Sequence, residues 1–453
     1  MSRGLKALGW TVTGLCALLL GSYGVLLLIN ARDEAPSAQA LRLEQVYRQR
    51  PAVADADNGF VYLLGMGAPA GEDPWTLGRA RQAALTAMDA ASHAQLSARQ
   101  AAMPAATLRT ATVISPAVRA LSTACDDDYL QCAHALNDDA ALVATQWLAD
   151  DAELLARYRT LIALPAWRET VPADVSQLPS YQNPMQGQRL LLMQTWLAAR
   201  HGDAASVTQW LQQDLRFWRT VLRDSDTLIG KSIATAALTR HFALGNLALR
   251  ELGSGQAAAL PPEWRVPLGE DERDFTRPLA GELRLVQASL RLAALESAQA
   301  PDATLSDRLQ RPFFKPQATI NLVAAADAEL AQASVAPYDV LPVALDRTAA
   351  AADFRWWQWL FNPTGRVVMT LGNASYSGYV LRVADLEGAR RAAVEAATLR
   401  ARGVPANAVA QALLAPGARL DPYTGGPLRW DADAGAIRFS SHDPRPGRPL
   451  FVY

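Results

Sequence analysis

Three cysteines and five histidines in 453 residues leave little material for thiol or metal chemistry. His93, His134, His201, His241 and His442 follow neither an HExxH pattern nor any paired-ligand spacing, so no metal site is expected and no cofactor is assigned. No Gly-x-Ser-x-Gly elbow and no Ser-x-x-Lys occurs, which removes the common serine hydrolase signatures. An excess of either charge is lacking too. The formal net charge is −1, so no bulk field recruits nucleic acid or an acidic surface. β-Branched residues are sparse beside alanine and leucine, a balance that favours helices. No segment repeats at a fixed period.

Long apolar runs are also missing, with one exception. Leu8 to Ile29 is 22 residues without a charge, enough for a helix of roughly 30 Å, the thickness of a bilayer core. Arg3 and Lys6 precede it, whereas Arg32 after it is offset by Asp33 and Glu34. The positive-inside bias then predicts a cytoplasmic N-terminus, with the rest of the chain on the other side. A cleaved signal peptide and a lipidated Cys16 are the alternatives. The first normally has a core of about 7–15 residues, shorter than this one. The second is opposed by Leu15, which stands where a small residue is expected.

Only Cys125 and Cys132 lie outside this run, and an exported domain allows them to pair. In one continuous helix they would stand about 10 Å apart, too far for a bond. A bridge therefore predicts a break at Asp126-Asp127-Asp128. These aspartates lack the alternating spacing and closing Glu of an EF-hand and are expected to form a solvated turn, not a calcium loop.

The fold expected is mainly α: an N-terminal transmembrane helix, a repeat-like helical-hairpin domain and a small C-terminal β-hairpin. The divisions are an anchor (1–30), a linker (31–40), an N-terminal helical region (41–252), a Gly, Ala and Pro linker (253–267), a C-terminal helical region (268–415) and a hairpin tail (416–453). Gly59 to Leu64 reads as a short apolar strand or buried segment, and the glycines Gly65, Gly67 and Gly71 after it as a loop. The clearest block is Gln188 to Leu252. His201-Gly202-Asp203 is a stop and restart, with Gly202 closing one helix and Asp203 capping the next. Val207, Trp210, Leu211, Leu215, Trp218, Val221 and Leu222 then fall on one face, and a third helix runs to Glu251. Short connections make such neighbours antiparallel. In the tail, two short strands flank an Asp433 to Gly435 turn.

Few residues suggest chemistry. Gly230-Lys231-Ser232 imitates the end of a P-loop, but Ser225 stands where its first glycine belongs and the tripeptide falls inside a helix. Arg216, Arg219 and Arg223 recur at three and four, a basic stripe on which an anion or partner can sit. Asp214, Asp224 and Asp226 are the expected neutralisers. Trp356, Trp357 and Trp359 read first as core or interdomain packing, with sugar stacking or a membrane interface as alternatives. Glu169 and Glu282 are single carboxylates whose separation decides whether they form a glycoside-cleaving pair.

Three stretches, in this order, carry a resemblance: Arg311-Pro312-Phe313-Phe314-Lys315-Pro316-Gln317-Ala318-Thr319-Ile320-Asn321, then Asn362-Pro363-Thr364-Gly365-Arg366, then Asp421 to Trp430. They resemble a family of uncharacterised, membrane-anchored helical proteins of gammaproteobacteria. The resemblance implies a bacterial inner-membrane or periplasmic setting. It implies no activity and no catalytic residues. The function expected is a non-catalytic scaffold or binding module of the cell envelope with a protein, lipid or glycan partner and no nucleic acid. An envelope hydrolase with a nonstandard site is the alternative.

Overall fold

The computed structural model describes residues 3–89, 98, 101–108, 115–172, 179–252, 260–299, 304–350, 354–372, 376–442 and 450–453. The chain is mainly helical, with one small antiparallel sheet near its C-terminus. Helix α1 (Arg3–Ile29) contains the run Leu8–Ile29, long and apolar enough to cross a membrane and buried against nothing over its window. Ser37 caps α2 (Ala38–Arg48) through the Ala40 N–H.

Gly59 to Leu64 is helical, not a strand: α3 (Gly59–Gly65) is buried on every side. A short all-apolar run has no period from which to choose between the two. Asn58 decides it locally, since its side chain caps α3 at the Phe60 N–H. Gly65 lets α4 (Pro74–Asp89) cross close by; a Cβ there would meet the Pro74 carbonyl oxygen at 1.7 Å.

The expected break separates α5 (Pro116–Asp127) from α6 (Tyr129–Ala135), and Asp128 caps α6 through the Leu130 and Gln131 N–H groups. Cys125 and Cys132 are disulfide-bonded, their Cα atoms 4.4 Å apart. Asp126 is not the simply solvated residue expected of this turn. Asp126 receives Arg189 Nε at 3.0 Å and Arg240 at 3.1 Å. The disulfide pair therefore sits over an arginine clamp. Helices α7 (Asp138–Asp150) and α8 (Ala152–Ile162) follow, capped at Asn137 and begun at Asp151.

Next comes the helical hairpin with its third arm: α9 (Gln182–Arg200), α10 (Ala204–Asp224) and α11 (Leu228–Glu251). Gly202, at φ 76°, closes α9 with the Asp203 N–H bonded to Ala198 and its own N–H to Ala199. Asp203 restarts the chain by accepting from the Ser206 N–H. Helix α11 is the centre of the molecule. It packs against α9, α10 and the later helix Ser377–Ala401, and its residues are buried around the full circumference.

The rest comprises α12 (Glu270–Arg273), α13 (Thr276–Gln299), α14 (Leu305–Gln310), α15 (Pro316–Ser334), α16 (Leu341–Ala350), α17 (Pro363–Gly372), α18 (Ser377–Ala401) and α19 (Val409–Ala412). Strands β1 (Arg429–Asp431), β2 (Ala436–Arg438) and β3 (Leu450–Val452) form the sheet in that order. The β1–β2 hairpin pairs Trp430 with Ile437, and β3 adds an outer strand that pairs Ile437 with Phe451.

One continuous core runs from Phe60 to Val452, so both long helical regions share it. Trp147, Trp167, Trp196, Trp218 and Trp264 are all fully buried in it, each side chain contributing roughly 1.5–3 kcal/mol or more of transfer energy. A second, smaller cluster joins α2, α13 and α15 through Leu43, Leu283, Leu290 and Ile320. Residues 253–259 of the expected linker lie outside the described residues; the remainder forms a short 3-10 turn at Pro262–Arg265.

The disulfide yields a stability prediction. Replacing Cys125 and Cys132 by alanine should lower unfolding free energy by about 2–3 kcal/mol, read from urea melts of both forms. In the denatured, unreduced protein, thiol titration should find one free cysteine, Cys16.

Candidate functional site

On α10 the three stripe arginines do share a face, along a groove of about 800 Å³. Ile162 to Pro165 at the end of α8 form one wall; Val266, Pro267 and Gly269 form the other, above Phe217. Each guanidinium already has a carboxylate. Arg216 Nε bonds Glu263 at 2.6 Å. Arg219 grips Glu272 with two nitrogens, at 2.5 and 2.6 Å, and bonds the Val266 and Pro267 carbonyls. Arg223 pairs with Asp224 at 2.9 Å. Burial depresses the Arg219 pKa, but Glu272 outweighs it and the net shift is upward. For Arg223 the hydrogen bond to Asp224 is the leading cause of a rise.

Of the neutralisers expected from sequence, only Asp224 acts on the stripe. Asp214 and Asp226 project into the interior. Glu263 and Glu272, roughly 50 residues downstream, replace them. No periodicity on α10 can announce partners so far away.

Asp214 belongs to a fully buried polar chain. It accepts from His241 Nδ1 at 2.7 Å, from Gln188 at 3.1 Å and from the Tyr158 hydroxyl. His241 Nε2 in turn accepts the Trp264 indole N–H at 2.8 Å. An indole nitrogen only donates, so Nε2 carries no proton and His241 is the neutral Nδ1–H tautomer. An Asp–His pair of this kind activates a nucleophile when Nε2 is open. Here Trp264 fills that position, and the pair orders the core.

Glu169 and Glu282 do come together, at the N-terminus of α11. Glu169 Oε2 accepts from the Asp226 N–H at 3.1 Å and the Thr227 hydroxyl at 2.8 Å, while Asp226 Oδ2 accepts from the Glu169 N–H at 3.0 Å. Glu282 accepts from the Leu228 N–H at 2.9 Å. Arg50 and Arg277 both reach Asp226 at 2.6 Å. Burial, then the neighbouring Asp226, pushes Glu169 up to about 7. Gly230 is explained by the same contact, since a Cβ there would meet Glu169 Oε1 at 1.9 Å. Burial also raises Glu282, and with Glu282's charge it lifts Asp327 to about 8. The Asp327 Oδ2 is buried without a partner.

Lys231, the P-loop mimic, is buried in α11. Its ammonium bonds the Leu222 and Glu272 carbonyls, each at 2.9 Å, and burial lowers its pKa to about 7. It borders a cavity of about 130 Å³ with Thr235, Arg382, Asp385 and Ser441. Asp385 accepts from Tyr423 at 2.6 Å and Ser441 at 2.7 Å, and burial leads a rise in its pKa. Among the described residues no group of His, Cys, Asp and Glu is arranged to hold a metal.

Two of the stretches singled out in the sequence, Arg311 to Asn321 and Asn362 to Arg366, meet at the end of α1. Asn30 donates to the Leu360 carbonyl at 2.8 Å and accepts the Asn362 N–H at 2.8 Å. Asn362, at φ 50°, accepts from the Lys315 and Gly365 N–H groups and donates to Thr319. Asp33 caps α15 at the Gln317 and Ala318 N–H groups, and Asn321 binds Glu34 and Ala35. The third stretch is elsewhere: Asp421 closes its own turn at Tyr423 and Ser440. Composition and spacing did not signal this junction. No family model, curated protein or solved structure matches the chain.

Two measurements check this description. The folded pKa of Asp327 lies above its ordinary 3.8, so the folded state holds the extra proton and stability falls as pH rises from 3.8 to about 8. Asp327→Asn should flatten that slope and raise the melting temperature more at pH 8 than at pH 5. Asn30→Ala should loosen the junction and speed tryptic cleavage after Arg32 severalfold in the full-length protein, with little change in core stability.

Proposed function

We propose that this protein is a single-pass, inner-membrane-anchored binding module of the bacterial envelope, its helical domain in the periplasm. The apolar α1 and the disulfide support that setting, since a Cys125–Cys132 bond belongs in an oxidising compartment. The observation that carries the binding reading is the α10 groove. It is open, with apolar lining at Phe217 and Val266 and a rim of matched charge pairs. A polyanion would have to displace Glu263, Glu272 and Asp224 from their arginines. A polypeptide segment bearing both charges can exchange pairs one at a time, so an envelope protein fits better than a lipid headgroup or a glycan phosphate. The groove is held at a set height above the bilayer because α1 continues into the Asn30–Asn362 junction without a free tether.

The test is a photo-cross-linking residue at Thr220, in the groove, and another at the exposed Leu142 on α7. Thr220 should give discrete protein adducts in cells and Leu142 none. Adding Arg216→Glu and Arg223→Glu should reduce the adducts at least severalfold. Absence of groove adducts, together with release of fragments from peptidoglycan, lipid or peptide substrates by the purified protein, would replace this reading with the hydrolase one.

A further inference from the structure

Trp356 and Trp357, expected in a core, are 78% and 51% exposed. They belong to the 3-10 turn Trp356–Leu360, in which no residue is buried. The turn is bonded directly to the end of the anchor, through Asn30 and the Leu360 carbonyl. Helix α14, which is also bonded to α1, exposes Leu305 at 74% and Leu309 at 44%. An apolar surface of this kind in water is costly unless something covers it.

Its depth identifies the cover. The Tyr23 hydroxyl donates to the Leu309 carbonyl at 3.0 Å, and its ring meets Phe313 edge-on at 5.7 Å. Tyr23 lies six residues before Ile29, about 9 Å inside the apolar run at 1.5 Å per residue. If the bilayer ended at Tyr23, only Leu8 to Tyr23 would remain, 16 residues and about 24 Å, short of the roughly 30 Å core. With the run spanning fully, α14 is drawn to the level of the acyl chains. The Trp356–Leu360 turn, bonded to Asn30 through the Leu360 carbonyl, then stands near the end of the span, where aromatic belts form.

The charges agree. Arg308 and Arg355 on this face are exposed, placed to reach phosphates. The nearby acids have local partners: Asp33 caps α15, Glu34 binds Asn321, and Asp307, exposed on α14, accepts from Thr304.

We propose that α14 and the Trp356–Leu360 turn form a collar embedded in the phospholipid leaflet from which α1 emerges, so that the domain is held at the bilayer by a span and an interfacial patch together. This rests on the reading of Leu8–Ile29 as membrane-spanning.

The test uses full-length protein with Cys16→Ser, in phosphatidylglycerol nanodiscs, carrying one nitroxide at Leu18→Cys, Leu305→Cys, Trp356→Cys or Leu142→Cys. Oxygen partitions into lipid and a nickel chelate into water. The oxygen-to-nickel accessibility ratio at Leu305 and Trp356 should exceed that at Leu142 severalfold and approach that at Leu18. A lipid-like Leu18 with water-like Leu305 and Trp356 overturns the collar alone. Shielding of Leu305 and Trp356 from both reagents overturns it in favour of a protein cover. A water-like Leu18 overturns the spanning anchor and the collar with it.

Discussion

A helix buried on all sides cannot use water to satisfy its first N–H groups, and α11 is such a helix. Its start is closed by its own cap, Thr227 on Gly230, and by side chains from two other segments: Glu282 from α13 on Leu228, and Glu169 from the α8–α9 connection on the residues just before it. The carboxylates also meet the positive end of the helix dipole. Asp226 exchanges backbone bonds with Glu169 and is held by Arg50 and Arg277, tying α2's flank and α13 to the same point. Packing of α9, α10 and α18 around α11 depends on this closure. Raised proton affinities at Glu169 and Glu282 follow from taking carboxylates out of water, and here they accompany a structural task.

Much of the architecture was legible in the sequence. The hairpin of α9, α10 and α11 was visible because Gly202 and Asp203 are local signals and the apolar face of α10 is periodic. The disulfide was legible because a break at Asp128 was the condition for bridging the two cysteines. The β1–β2 hairpin showed through its turn. What stayed hidden was non-local. The partners of Arg216, Arg219 and Asp214 lie 26 to 56 residues away in the chain, and α3 is too short to reveal a period. Trp356 and Trp357 misled because aromatic density alone does not distinguish an interior from an exposed surface.

The Asp214–His241–Trp264 chain illustrates how a familiar pair can serve packing. Residue types and distances match an activating dyad, yet the third partner is an indole that only donates. Every hydrogen-bonding position of the imidazole is occupied inside the core. The same chemistry elsewhere in a fold, with an open Nε2, would mean something different.

On the proposed reading of α1 as a membrane span and of the groove as a binding site, the junction at Asn30 and Asn362 changes the dimensionality of any encounter. A domain on a flexible leash samples a hemisphere of orientations. One bolted to its membrane helix moves only by sliding and by spinning about the membrane normal. Two such molecules, or this one and another membrane-held protein, meet with their binding faces already level. Geometry has then removed much of the rotational search that a soluble pair must complete before contact.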